Sequence, residues 1–146
     1  MNFFDRVITA LAELHPPHVM FVHFPIALTG VGLLFILLAL WRRNQMFEQA
    51  AFLNITLAAA SSVIAGLTGY RDHLVRFEGD APYVQYKIAF GITLFVLTTI
   101  TAVSRRRNPE ILWRPSTRVL YAAAFAGSFA LAVTLAFLGG AILYGF

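Results

Sequence analysis

Long runs of apolar residues without a single charged side chain dominate the chain. Four such runs occur, at residues 19–41, 50–70, 88–103 and 119–146. An α-helix needs about 20 apolar residues to cross the hydrocarbon core of a bilayer. The third run is short by this measure, and it reaches back to about residue 83 if the stem of Lys87 lies in the apolar layer with its amine at the interface. The pattern predicts four transmembrane helices, at about 17–41, 47–70, 83–104 and 118–144.

The composition excludes an ordinary soluble domain. Charged residues make up 12% of the chain and hydrophobic residues 59%, and the mean hydropathy is +0.73. Soluble domains carry about 25% charged residues, so this chain has too few charges to cover a surface that faces water. Because the loops between the apolar runs are short, we predict one domain over residues 1–146. We expect an all-α fold, an integral membrane four-helix bundle, with the lipid bilayer as one of its partners.

The first 15 residues follow a different pattern. Their apolar side chains recur at helical spacing, at Phe3, Phe4, Val7, Ile8, Leu11 and Leu14. Polar residues occupy the opposite face, so the segment predicts a short N-terminal amphipathic helix that lies in the membrane interface. Packing on the bundle as a cap is the alternative. The segment lacks a basic start followed by an unbroken apolar run, so we do not expect a secretory signal peptide.

Arginine is concentrated on one side of the predicted bundle. Seven arginines follow the first and third runs: Arg42, Arg43, Arg105, Arg106, Arg107, Arg114 and Arg118. The other side mixes four basic residues with five acidic ones. Because positive residues mark the cytoplasmic side, we predict a bacterial inner (cytoplasmic) membrane protein with both termini on the outer, periplasmic side. Membrane topology explains the arginines, so no nucleic acid partner is predicted.

All four histidines, His15, His18, His23 and His73, fall on the outer side of this arrangement. His23 lies about 8 Å deeper in the first span than His18. Ionisable residues inside a span are costly and mark functional sites. A separation of five residues rotates His18 and His23 by about 140° around the helix, which makes them poor joint ligands for one small ion. One of them together with His73 from the second span suits a haem held between two histidines.

Prolines shape the start of the first span. Pro16 and Pro17 are expected to end the amphipathic helix near His15 and to occupy the first turn of the span. Pro25 lies inside the span and deprives the Phe21 carbonyl of its hydrogen bond, which predicts a kink at 21–25. A kink beside His23 is a suitable entry point for a cofactor.

Short motifs exclude several kinds of chemistry. The chain has no cysteine, which rules out cysteine-ligated iron–sulfur clusters and covalent haem attachment. It contains no phosphate-binding glycine loop, HExxH or GxSxG motif, so we expect no hydrolytic or transferase site. Small residues recur at four-residue spacing in the second and fourth spans and predict close helix packing. They are Ala58, Ser62, Gly66, Ser128, Ala132, Ala136 and Gly140.

The stretch HPPHVMFVHFPIAL, residues 15–28, resembles the HP-x-x-V-HFPIAL motif of domain of unknown function family 2231, which comprises small four-helix bacterial membrane proteins. GGAILYGF (139–146) and GLTGYRDH (66–73) resemble two looser family features, a glycine-rich end of span four and a GL-x-D-W turn. The resemblance covers nearly the whole chain and implies a four-span fold. Relatives often carry a histidine early in span three, where this chain has Tyr86 and Lys87. Members also occur beside or fused to redox modules, which implies electron transfer.

We therefore hypothesise a membrane subunit that binds haem b, adjoins a quinone site, or does both, within an electron-transfer assembly. His23 and His73 are the predicted ligands of the haem iron, with His18 as a substitute. The haem propionates would pair with basic residues near the outer surface, which are Arg71, Arg76 and Lys87. Other subunits of a membrane redox complex are the expected partners, and the chain is at most an electron-transfer subunit rather than an enzyme by itself.

Two other functions remain open. The chain is alternatively a non-catalytic structural or anchoring subunit of a larger membrane complex, whose histidines make hydrogen bonds between helices. A metal-ion carrier or sensor would instead use His15, His18, His23 and the acidic residues of loop 71–82. Purified protein without a chromophore would favour the first of these functions, and bound metal would favour the second.

Overall fold

The computed structural model describes residues 2–9, 17–76, 78 and 83–144, without the side chains of Pro17, Arg76 and residues 142–144. Every element in this part of the chain is a helix. The five helices are α1 (Phe3–Thr9), α2 (Pro17–Arg42), α3 (Gln45–Arg76), α4 (Val84–Arg107) and α5 (Pro115–Tyr144).

Helices α2 to α5 form the predicted membrane bundle. Each contains a segment that is long and apolar enough to cross a bilayer, at His18–Arg42, Gln45–Val75, Val84–Arg107 and Pro115–Ala141. Helix α2 packs most extensively on α3 and also contacts α5, while α4 contacts both α3 and α5. The predicted all-α membrane bundle is confirmed. We call the end that holds the start of α2 and the end of α3 the histidine end, and the opposite end the arginine end.

Helix α1 begins with reciprocal hydrogen bonds. The Asn2 side chain accepts the Asp5 N–H at 2.9 Å, and the Asp5 carboxylate accepts the Asn2 N–H at 3.1 Å, so two free donors of the first turn are satisfied. No residue of α1 is buried, and the apolar side chains of Phe3, Phe4 and Ile8 are exposed. This exposure favours the membrane interface over packing on the bundle. The predicted continuation to His15 lies outside the described residues.

Helix α2 begins at Pro17, within the predicted proline pair, and it runs unbroken past Pro25. It ends in a turn of two residues. Arg43 adopts a left-handed conformation with φ 48°, and the Asn44 N–H donates to the Ala39 carbonyl at 3.3 Å. The Asn44 side chain then accepts the Met46 N–H at 2.8 Å and caps α3. Asn44 thus hydrogen-bonds to the last turn of α2 through its backbone and to the first turn of α3 through its side chain.

The bundle is packed most densely toward the arginine end. Its hydrophobic core there comprises Ile36, Ala39, Ala51, Ile55, Leu112, Tyr121 and Phe125. By contrast, none of residues 84–93 of α4 and none of residues 133–140 of α5 is buried. Helices α4 and α5 therefore bury fewer side chains near the histidine end than near the arginine end.

The small residues that recur at four-residue spacing fall into two groups, those buried between helices and those without close neighbours. Ala58, Ser128 and Ala132 are buried between helices, as close packing requires. A Cβ added at Gly66 or Gly140 would meet nothing within 4 Å, so these glycines do not serve close packing within the chain. The tight glycine contacts lie elsewhere, where Gly30 and Gly32 of α2 meet Phe129 and Phe125 of α5.

Candidate functional site

His18 is fitted into the surface of α3 at the histidine end. Its Nδ1 lies 2.9 Å from the Ala65 carbonyl oxygen, and its backbone N–H donates to Asp72 Oδ2 at 3.3 Å. A Cβ added at Gly69 would come within 2.9 Å of Nδ1 and Cε1 of the ring. Ala65, Gly69 and Asp72 share one face of α3 because they are four and three residues apart. Glycine at position 69 thus makes room for the imidazole.

The hydrogen bond of His18 determines which ring nitrogen is available. A carbonyl oxygen only accepts, so Nδ1 carries the proton, and Nε2 of the neutral ring then presents a lone pair. Within the described part of the chain, this Nε2 makes no hydrogen bond. Histidines that bind metals are typically held in this way, with the other ring nitrogen donating to a carbonyl or carboxylate. The ring is therefore held through Nδ1, and its other nitrogen has no hydrogen bond among the described residues.

Asp72 connects α3 to the first turn of α2. Its carboxylate is buried with 6% of the residue exposed, and it accepts the His18 N–H. The first turn of a helix has unpaired N–H groups and a partial positive charge. The Arg71 guanidinium, which is half exposed, lies 3.8 Å from the other carboxylate oxygen. Asp72 thus fixes the position of the turn that carries His18.

Lys87 lies in the first turn of α4 and is half-buried. Its Nζ is 3.8 Å from the position that a Cβ at Gly139 of α5 would take. Its charge also acts on the His18 imidazole. The amine therefore lies against α5 at the histidine end, within electrostatic range of His18.

His73 belongs to α3, because this helix continues to Arg76, six residues beyond the predicted end at Tyr70. Nothing between Tyr70 and Arg76 interrupts a helix, since the segment has no proline or glycine. His73 follows Gly69 by one turn and so lies on the side of α3 that faces the His18 ring. Its Nδ1 is buried and has no hydrogen-bond partner among the described residues. Its ring lies 6.5 Å from that of Tyr70.

His23 has a different environment. It is exposed on α2, and its Nδ1 lies 2.6 Å from the Val19 carbonyl oxygen of the same helix. The structure therefore brings His18, rather than His23, to the face of α3 that carries His73. The side chains of Arg76 and His15 lie outside the described residues.

Among the residues that the structure describes, no group of three or more histidine, aspartate and glutamate side chains is placed to hold a metal ion. A haem iron requires fewer protein ligands, because the porphyrin supplies four nitrogens and the protein only the axial ones. His18 and His73 each have a ring nitrogen without a hydrogen bond among the described residues, and a histidine nitrogen is a type of ligand that haem iron takes.

A second polar cluster, which the sequence did not reveal, lies toward the arginine end. Glu48 of α3 is fully buried, and its two carboxylate oxygens accept hydrogen bonds from Arg105 Nε at 2.5 Å and Nη2 at 2.8 Å. The Arg105 guanidinium lies 5.3 Å from the centre of the Phe52 ring. The buried Tyr121 hydroxyl of α5 lies near Glu48 and makes no hydrogen bond among the described residues. The cluster joins three helices.

The signal for this cluster was available in the sequence. Glu48 is followed by an apolar run, and it sits three residues before Ala51 and seven before Ile55, both of which are core positions. An acidic residue on the buried face of a membrane helix needs a basic partner. The arginines at the end of the third span were interpreted only as determinants of topology, so the pairing was missed.

Comparisons with known proteins agree with the resemblance in the sequence. A family model described as a predicted membrane protein (DUF2231) matches residues 14–145. No curated protein and no solved structure matches the chain. The description of the family names a membrane protein and no activity.

Proposed function

The chain belongs to this family of predicted membrane proteins, and we propose that it is an electron-transfer subunit that binds haem b at its histidine end. The observation that supports this function is the half-buried His18 imidazole, whose Nδ1 is held by the Ala65 carbonyl while Nε2 stays available. Bound haem would supply one-electron chemistry, and the protein would tune its potential through the ligands and the polarity of their surroundings.

His18 is the first iron ligand in this proposal. The bond to Ala65 orients the ring and increases the electron density at Nε2, as partners of metal-bound histidines do. Asp72 holds the backbone of the turn that carries the ring, and Gly69 leaves room for the ring on α3. His23 is exposed, so binding through its ring would place the haem or a second protein on the outer surface of α2. The geometry therefore favours His18 as the iron ligand, whereas the sequence favoured His23.

His73 is the second ligand. A buried polar atom without a partner requires an explanation, and no hydrogen bond fixes the His73 ring within the described residues. In an anchoring subunit whose histidines only join helices, each imidazole would be hydrogen-bonded. His18 and His23 meet that expectation, but His73 does not, and this difference supports a binding function.

The basic residues nearby suit the propionates of haem. Lys87 extends toward α5 within electrostatic range of His18, and the half-exposed Arg71 lies one residue from Asp72. Arginine and lysine form strong charge-assisted hydrogen bonds with carboxylates. Arg76 belongs to the same predicted set of propionate partners.

The orientation follows from the arginines. With the arginine end in the cytoplasm, the histidine end faces the periplasm across the inner membrane. A haem at this end would exchange electrons with a quinone in the outer leaflet or with a carrier protein. Other subunits of a redox complex are the partners that this function requires.

An anchoring subunit is the second candidate. The hydrogen bonds of His18 and His23 to backbone carbonyls favour it, since the first holds the start of α2 on α3 and the second lies within α2, both without any cofactor. Such a protein would purify with its complex and without a chromophore.

Single histidine variants distinguish the two functions. We expect His18→Ala and His73→Ala to abolish the haem that co-purifies from haem-replete cells, measured as haem per protein in a pyridine haemochrome assay. His23→Ala is the matched control and is expected to retain haem, because its ring bonds only within α2. Size-exclusion chromatography in detergent reports folding. Equal haem content in folded His18→Ala and wild-type protein would contradict the assignment.

A further inference from the structure

We propose that a cleft at the arginine end binds the phosphate group of an anionic phospholipid. The cleft opens between the α2–α3 turn and the loop that joins α4 to α5. Its lining residues are Leu40, Arg43, Gln45, Glu110, Trp113 and Arg118. None of them belongs to the candidate haem site, so this inference is independent of the proposed function.

Arg43 is held at the cleft by an unfavourable backbone conformation. Its φ of 48° belongs to the left-handed region, which glycine adopts without steric cost and other residues rarely adopt. The position after a helix end is usually glycine for this reason. An arginine accepts the strain here, and the turn thereby fixes where its side chain leaves the backbone. A residue that is strained where glycine would fit is a reason to seek a role for its side chain.

Arg118 is the second cation of the cleft, and its guanidinium is already in place. Its Nε donates to the Leu112 carbonyl at 3.3 Å, and Nη2 lies 3.5 Å from the Trp113 carbonyl. These bonds hold the side chain against the α4–α5 loop, while Nη1 makes no hydrogen bond within the described residues. A ligand that binds Nη1 would lose little freedom of the arginine, because the loop has already ordered it.

The remaining walls match a lipid rather than a free anion. Leu40 supplies an apolar surface, and Trp113 is the type of residue that lies at the headgroup level of a bilayer. The neighbouring Trp41 is 73% exposed, with the Arg42 guanidinium 4.6 Å from its ring, so this side of α2 faces the membrane interface. One arginine can hydrogen-bond to two oxygens of the same phosphate. Basic clefts at the cytoplasmic side of membrane helices accept anionic headgroups.

The negative charge of Glu110 repels an anion in this cleft. Its charge is offset by the exposed arginines of the same end, Arg42, Arg106, Arg107 and Arg114. The other acidic residue of this end, Glu48, is already paired with Arg105. The net field at the cleft is therefore positive, and Glu110 weakens the binding that the arginines provide.

The test is a lipid titration of the full chain in detergent, followed by native mass spectrometry. Phosphatidylglycerol is compared with zwitterionic phosphatidylcholine. We expect selective retention of phosphatidylglycerol. We also expect Arg43→Asn to bind this lipid about fivefold more weakly, which is the contribution of one cation close to an anionic headgroup. Asparagine tolerates the left-handed conformation, so the turn should persist in this variant.

Arg107→Asn is the matched control, because it removes the same charge from the same end without touching the cleft. We expect it to retain the wild-type affinity, and Glu110→Gln to bind phosphatidylglycerol more tightly. Equal losses in Arg43→Asn and Arg107→Asn would overturn the site and leave only a general attraction between charges. Complete displacement of the lipid by millimolar inorganic phosphate would overturn the lipid as its ligand.

Discussion

At the scale of single residues, the contact between Gly69 and His18 is the most specific feature of the histidine end. The ring sits where a methyl group on residue 69 would come within 2.9 Å of two of its atoms. Contacts this short are not tolerated in packed proteins. Glycine at this position therefore decides where the imidazole lies, although it carries no functional group.

Gly69→Ala tests that dependence without removing any ligand atom. We expect the added methyl group to displace the His18 ring from the Ala65 carbonyl and to lower the haem content as strongly as His18→Ala does. Gly66→Ala is the matched control, because a Cβ there meets nothing within 4 Å, and its haem content should equal that of the wild type. Haem per protein, measured by pyridine haemochrome, is the readout. Full occupancy in Gly69→Ala would show that the position of His18 is unimportant.

At the scale of helices, the Glu48–Arg105 pair ties α3 to α4 across a distance of 57 residues in sequence. Burying two charges is costly, and only good geometry and additional hydrogen bonds offset that cost. The two-pronged contact and the full burial of Glu48 meet this condition. The pair therefore specifies how α3 and α4 face each other more than it adds net stability.

Removing one partner of the Glu48–Arg105 pair should destabilise the protein more than replacing both partners. We expect Glu48→Ala to lower the free energy of unfolding by about 3 kcal/mol, because it leaves the Arg105 charge without its partner. The double variant Glu48→Leu/Arg105→Met should recover most of that loss, because apolar side chains of similar volume fill the site. Reversible unfolding in mixed detergent micelles measures both variants. A double variant that is less stable than Glu48→Ala would contradict this account.

The helices themselves were largely predictable, since a lipid environment permits few alternatives to an apolar helix. The predicted and observed starts of α2 agree because Pro17 is suited to a first turn. The predicted second span ends at Tyr70, whereas α3 continues to Arg76, because polar residues such as Arg71 and Asp72 end an apolar run without ending a helix. Length in the membrane and length of the helix are different quantities.

The candidate site was only partly predictable. The histidines drew attention by residue type, but the choice between His18 and His23 depends on which of them faces α3. The partner of His18 is a backbone carbonyl at Ala65, and a carbonyl has no sequence signal of its own. The spacing of Glu48 to Ala51 and Ile55 indicates that it is buried, but which of the arginines pairs with it depends on the tertiary arrangement.

At the scale of the whole molecule, the two ends differ in charge and in packing. The arginine end combines a dense core with most of the positive charge. The histidine end has fewer buried side chains on α4 and α5 and holds His18, His73 and Lys87. An asymmetric molecule of this kind has one preferred orientation in the membrane.

Reporter fusions test this orientation. We expect alkaline phosphatase fused after residue 146 to be active, because it folds in the periplasm, and green fluorescent protein fused there to be dark. A fluorescent protein inserted at Pro109, in the loop between α4 and α5, should fluoresce in the cytoplasm. The opposite pattern at both positions would place the histidine end in the cytoplasm and would contradict the proposed electron exchange on the periplasmic side.

The most direct test of the account is a reduced-minus-oxidised visible spectrum of the protein purified from haem-replete cells. The account predicts a Soret shift and an α-band of the b type, with haem and protein in comparable amounts. A flat spectrum from a folded protein would contradict it. The His18 imidazole would then serve only to hold the start of α2 against α3.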